Sequence, residues 1–93
     1  MSISFKKSVK ESDGLLCQEL TDGEIVFLNL NNESYFGLDK IGTDIWKELL
    51  KSKNIETAYN NLLQKYEVEP ENLRKDIEDL ISKLLDNGLL EFN

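Results

Sequence analysis

The apolar positions of this chain change their period once, near residue 39. Before it, "LLCQEL" (15–20), "EIVFLNL" (24–30) and "SYFGL" (34–38) alternate or run apolar between turn signals, which predicts three strands over about 15–38. "TDG" (21–23) and "NNE" (31–33) supply the turns. Asp22-Gly23 and Asn31-Asn32 suit tight connections because Gly and Asn tolerate positive φ, so the strands form an antiparallel meander. "ISFKKSV" at the N-terminus is a weaker strand pattern, and the last strand of the meander has an unpaired side unless residues 1–9 fold over it.

After Asp39, a good helix N-cap, the period becomes helical. Ile41, Ile45 and Leu49, with Trp46 and Leu50 beside them, predict a helix over about 40–52. Asn54 caps a second, to about Tyr66, whose apolar stripe is Ile55, Ala58, Tyr59, Leu62, Leu63 and Tyr66. A third starts near Pro70, carries Leu73, Ile77, Leu80, Ile81, Leu84 and Leu85, and stops by residue 87 at Asn87-Gly88. "LLEF" then makes a short terminal strand or an extended tail. The fold class is α+β: a small antiparallel three-stranded β-meander packed on a three-helix bundle with the shape of a winged helix-turn-helix. With 93 residues, no repeat, and Pro70 as the only proline, the whole chain reads as one domain.

Composition narrows the chemistry. The chain has no histidine and one cysteine, Cys17, so it lacks the parts of the usual zinc sites, of an internal disulfide and of a Cys-His nucleophile pair. Cys17 sits in a half-apolar strand with nothing to activate it and is expected to be inert and buried. Trp46, one turn from Leu49 and Leu50, is expected in the core. Asp76, Glu78, Asp79 and Asp86 spread around their helix at about 100° per residue and form no metal or acid-base constellation. Neither catalysis nor a cofactor is expected. No apolar run approaches a membrane span or the core of a signal peptide, which places the chain in the cytoplasm, away from membranes.

A formal charge of −7 disfavours nucleic acid, although helices two and three have the spacing of a DNA-binding unit. Residues 67–93 carry eight acidic side chains against Arg74, Lys75 and Lys83, so a recognition helix here would repel phosphate. A nucleic-acid-binding winged helix is the runner-up reading. A small structural subunit of an enzyme complex is the third.

"DGEIVFLNLNNESYFGLDKIGTDIWKELL" followed by "NIETAYNNLLQKYEVEPENLRKDIEDLISKLLDNGLL" resembles the PqqD-like family of peptide-recognition domains, the recognition elements of ribosomally made, modified peptides. The matching features are Leu38-Asp39, Gly42 with Ile45-Trp46, Tyr66-Glu67-Val68, Asp76-Ile77, and Leu84 to Leu89, over roughly residues 15–90. Their order and spacing carry the resemblance, not any one of them. It implies a protein that binds the leader segment of a precursor peptide as a further strand, in a cleft between the last strand and the third helix. Stand-alone members serve a separate enzyme: a leader peptidase in lasso-peptide pathways, or a radical enzyme in cofactor pathways such as that of pyrroloquinoline quinone. "SYFGLD" and the "Y-x-V" ending look closer to the lasso-type set. The chain departs from many members in its acidity and its N-terminal "ISFKKSV".

Under that resemblance the peptide-binding residues are Ser34, Tyr35, Phe36, Gly37 and Leu38 on the strand. Helical spacing adds Asp76, Leu80, Lys83, Leu84 and Asn87 along one side of the third helix, with Leu80 and Leu84 as floor and Asp76 and Lys83 as rim. Gly37 has two open readings: a close approach by another backbone, or a bulge or bend into the helix. The charge argument makes a prediction of its own. Titrated into labelled duplex DNA near physiological salt, the protein should bind weakly or not at all, whereas a specific site held at ~10⁻⁸ M or tighter would reverse the ranking.

Overall fold

The computed structural model describes residues 3–93. In chain order the elements are β1 (Val9–Glu11), β2 (Leu15–Glu19), β3 (Ile25–Asn29), β4 (Ser34–Leu38), α1 (Lys40–Lys51), α2 (Ile55–Lys65), α3 (Pro70–Asp86) and β5 (Leu90–Phe92). Strands β2, β3 and β4 form the expected antiparallel meander, with Phe27 opposite both Cys17 and Phe36. β1 and β5 pair as a second, two-stranded sheet, so "LLEF" resolves into a strand.

The helices begin where their caps dictate. The Asp39 carboxylate accepts from the Gly42 amide at 2.7 Å, and the Asn54 side chain from the Thr57 amide at 2.8 Å. Two more amides at the start of α2 are met by the N-terminal segment: Ile55 donates to the Lys7 carbonyl at 2.9 Å and Glu56 to that of Phe5 at 2.8 Å. Ile3 and Phe5 are buried there, and the Arg74 guanidinium lies 3.9 Å from the centre of the Phe5 ring. Most of "ISFKKSV" is therefore an irregular strap over α2 and α3, and only its Val9 enters a strand.

One face of the meander meets the helices. Phe27 is wholly buried against Trp46, their rings edge to face with centroids 4.6 Å apart. Ile77, Ile81 and Leu84 bring the inner stripe of α3 into the same core, while Leu80 and Leu85 flank it half-buried. Ile41, expected in the stripe of α1, is 60% exposed. The β3–β4 connection also differs from expectation. It is a loop whose left-handed residue is Glu33, at φ 57°, not an asparagine; Asn29, Asn31 and Asn32 instead hydrogen-bond the backbone around it.

Asn29 joins the sheet to the end of α3. Its buried amide nitrogen donates to the carbonyls of Asn87 and Gly88 at 3.4 Å each, and its oxygen accepts from the Asn31 amide at 2.9 Å. Gly88 has φ 71°, and a Cβ there would lie 3.1 Å from the Asn29 nitrogen, so the helix can end this close to the strand only with glycine. Asn29→Leu, which leaves those carbonyls without their donor, is expected to cost about 1–3 kcal/mol in urea unfolding.

Candidate functional site

β4 is an edge strand: among the described residues it pairs with β3 alone. Its sequence, Ser-Tyr-Phe-Gly-Leu, has no charge and no proline, and its pairing has no bulge, so none of the usual devices that blunt an edge is present. The free edge of β2, by contrast, carries Glu19, ion-paired to Lys47 at 2.6 Å. Phe36 and Leu38 turn inward, the first half-buried and the second buried; Tyr35 is 75% exposed on the other face. Gly37 is neither bulge nor bend. It sits in register opposite Val26, and a Cβ built on it meets nothing within 4 Å.

The position of α3 relative to this edge follows from contacts at its two ends. Its C-terminus is held by Asn29, which is paired with Ser34 at the start of β4. Near its N-terminus Leu73 and Asp76 face Ile41 and Ile45, which follow directly on the end of β4. The helix therefore runs antiparallel to the strand. The rise per residue gives about 16 Å both for the five residues of β4 and for the span from Asp76 to Asn87.

Of the α3 residues chosen from the sequence, Asp76, Lys83 and Asn87 are exposed and Leu80 is half-buried. Asp76 and Lys83 have no ion-pair partner among the described residues, whereas Arg74 and Lys75 are engaged by Glu56 and Asp79. Leu84 is wholly buried and offers no surface, so it lies beneath a floor and is not part of one. Helical spacing gives the side of α3 it shares with Leu80; packing beneath the sheet sets its depth.

A recess of about 310 Å³ opens beside Asp76 and was not anticipated. Ile41, Ile45, Tyr66, Val68 and Leu73 make it apolar, and Glu69, Asn72 and Asp76 border it. Ile41 and Val68 are its two exposed large apolar side chains. The signal for it in the sequence was the "Y-x-V" ending, which sets Tyr66 and Val68 on the loop between α2 and α3. The Tyr66 hydroxyl donates to the Asp44 carboxylate of α1 and fixes one wall.

The family model for coenzyme PQQ synthesis protein D (PqqD) matches residues 24–90. The chain belongs to the PqqD family. Two solved structures share its fold. TbiB1 in complex with the TbiA(beta) leader peptide is 33% identical, over 88% of this chain and 94% of that one, with a TM-score of 0.80. A lasso peptide synthetase B1 complexed with the leader peptide is 23% identical, over 90% and 98%, also at 0.80, and speaks to fold alone. No curated protein matches the chain.

Other features of this PqqD-family chain bear on its chemistry. Cys17 is exposed, not buried as expected, because β2 is an outer strand that no helix covers at that position. Its thiol is pushed above the ordinary cysteine range by partial desolvation and by the carboxylates of Glu11 and Glu19, against an opposing pull from Lys47, which makes it a poor nucleophile. Among the described residues no three His, Cys, Asp or Glu side chains converge as a metal site, and no helix is long and apolar enough to cross a membrane. The outer side of α3 exposes Glu71, Asp76, Asp79 and Asp86, a poor match to DNA phosphates.

The hydrogen bond that Tyr66 donates to Asp44, first of all, then burial and the Asp44 charge push the Tyr66 hydroxyl above the ordinary tyrosine value in the folded protein. A raised pKa stabilises the fold below the unfolded-state value of about 10, and the stabilisation is lost as pH rises through the folded-state value. The advantage in melting temperature of wild type over Tyr66→Phe should be full at pH 8 and shrink above about pH 10.

Proposed function

We propose that this chain is a non-catalytic adaptor that binds the leader segment of a ribosomally made precursor peptide by strand addition and presents it to a separate enzyme. The observation that carries this reading is the uncharged edge of β4, unpaired among the described residues, with α3 running antiparallel to it. It is supported by the 33% identity to a protein whose solved structure contains a leader peptide. The enzyme served is a leader peptidase or another modifying enzyme such as a radical enzyme, the partners that the resemblance of the sequence implies. The 93 residues act as a single recognition domain, in the cytoplasm where such precursors are made, without nucleic acid, membrane or cofactor.

In this mechanism Ser34 to Leu38 give alternate N–H and C=O groups to a leader strand, and main-chain bonds supply affinity while side-chain contacts choose the sequence. Inward leader side chains lie between Phe36 and Leu80. Asp76 and Lys83, both exposed, pair with leader charges for about 0–1 kcal/mol each, and Asn87 supplies hydrogen bonds at the far end. Leu84 supports Leu80 from below. The recess at Ile41 and Val68 takes an apolar leader side chain beyond the end of β4.

Ordering a flexible leader costs about 2–5 kcal/mol of the gross interaction, which sets the expected Kd at roughly 0.1–10 μM. Calorimetric titration with the cognate leader should give a value in this range. Gly37→Pro should weaken it by removing a ladder donor from the edge, and Glu56→Ala, on α2, should not. Amide exchange of residues 34–38 should slow in the saturated complex; unchanged exchange there means the peptide binds elsewhere.

A further inference from the structure

The large apolar side chains left exposed among the described residues fall into two groups. Ile41 and Val68 line the recess, and Leu16, Leu20, Leu30 and Tyr35 all belong to the meander. By strand alternation these four share the outer face, the one turned away from the helices, with Val26 and Leu28 between them. Gly37 leaves Val26 uncovered on one side, and a shallow, mainly apolar groove of about 350 Å³ runs over Leu16, Val26, Leu28 and Tyr35, with Gln18 and Cys17 also in its lining. The sheet is thus apolar on both faces, although only one has helices against it. An apolar face of this kind marks a surface that another molecule covers.

The charge around it says what kind. Residues 11–39 contain seven carboxylates, Glu11, Asp13, Glu19, Asp22, Glu24, Glu33 and Asp39, and not one Lys or Arg. Asp22 and Glu24 stand at one end of the meander; Asp13 and Glu33 stand at the other, where the Asn31 side chain ties the two turns by donating to the Asp13 carbonyl at 3.3 Å. Glu19 is taken up by Lys47, Asp39 caps α1, and the Lys40 side chain passes 3.9 Å from the Cβ position of Gly23, but the rim still carries more carboxylates than cations, so a second copy of this chain would set like net charge against like. The complement is a surface with an apolar centre and a rim of Lys and Arg.

We propose that the outer face of the meander is the docking surface for the enzyme that acts on the bound precursor, through an apolar patch with a basic rim on that enzyme. This rests on the adaptor reading. A leader strand added to β4 continues the same sheet, so its outward side chains rise beside Tyr35 and enlarge the face. An enzyme seated there touches adaptor and leader together. The loaded adaptor therefore binds the enzyme more tightly than the empty one, and by reciprocity the enzyme tightens the leader by the same factor.

The test is calorimetric titration of the purified processing enzyme into the leader-saturated chain. Leu16→Lys puts a cation at the centre of the patch, on the strand farthest from β4, and Asp13→Lys with Glu24→Lys reverses part of the rim. Each variant is expected to weaken enzyme binding about tenfold or more, with leader Kd unchanged within about twofold, which also certifies the fold. Wild-type affinity for the enzyme should fall with added salt. Intact leader binding with unaltered enzyme binding in both variants overturns the docking face alone. A wild-type dimer in sedimentation that Leu16→Lys dissociates also overturns it, because a second copy then occupies the face. Failure of the wild-type chain to take up leader overturns the adaptor reading, and this proposal with it.

Discussion

The placement of α3 relative to the β4 edge depends on how one buried amide is satisfied. Asn29 sits at 3% exposure where the last turn of α3 meets the end of β3, a place where an apolar side chain would leave helix-end carbonyls without partners. With donor and acceptor both engaged, the asparagine fixes the distance between sheet and helix, and Gly88 allows that distance to be short. Hydrophobic packing of Phe27, Trp46, Ile77 and Ile81 holds the layers together but is non-directional. The hydrogen-bonded contact selects one position of α3 along β4 among the several that packing would tolerate, and every candidate contact to a peptide inherits that choice.

Much of this architecture is legible in the sequence because local rules and the global fold agree. Asp39, Asn54, Pro70 and Gly88 each mark a helix terminus for a physical reason that survives folding, and the observed helix bounds follow them. The meander is equally readable from its turns. The features that escape a sequence reading depend on distant segments. No periodicity indicates that Phe5 and Lys7 will lend carbonyls to α2, or that Val9 to Glu11 will find β5. Likewise the loop at Asn31 and Asn32 has the right residues for a turn, but their side chains bond the backbone and Glu33 takes the left-handed conformation.

Alternation puts Tyr35 outward and Phe36 inward as the sequence indicates, and of the α3 residues chosen by helical spacing Asp76, Lys83 and Asn87 are exposed and Leu80 half-buried. What spacing could not give was depth. Leu80 and Leu84 share a side of α3, yet one is half-buried and the other sealed, a difference set by the sheet above them. Ile41 fits the stripe of α1 as well as Ile45 does, but it lies in the first turn, beyond the reach of the core, and becomes the lip of a recess. Cys17 shows the reverse error: its strand is half-apolar, but it is the outer strand of the meander and leaves the thiol exposed.

A single residue separates β4 from α1, and three contacts brace it. Asp39 caps the helix, the Thr43 hydroxyl donates to the Leu38 carbonyl at 3.4 Å, and Gly42 lies so close to Leu38 that a Cβ there would stand 3.3 Å from its Cδ2. Such a joint has no hinge, so strand and helix turn as one lever. Ile41 and Ile45, which form a wall of the recess, follow within a few residues of that joint. The edge strand and one wall of the recess thus share a single short, braced joint, although the groups that would contact a ligand at each belong to different elements.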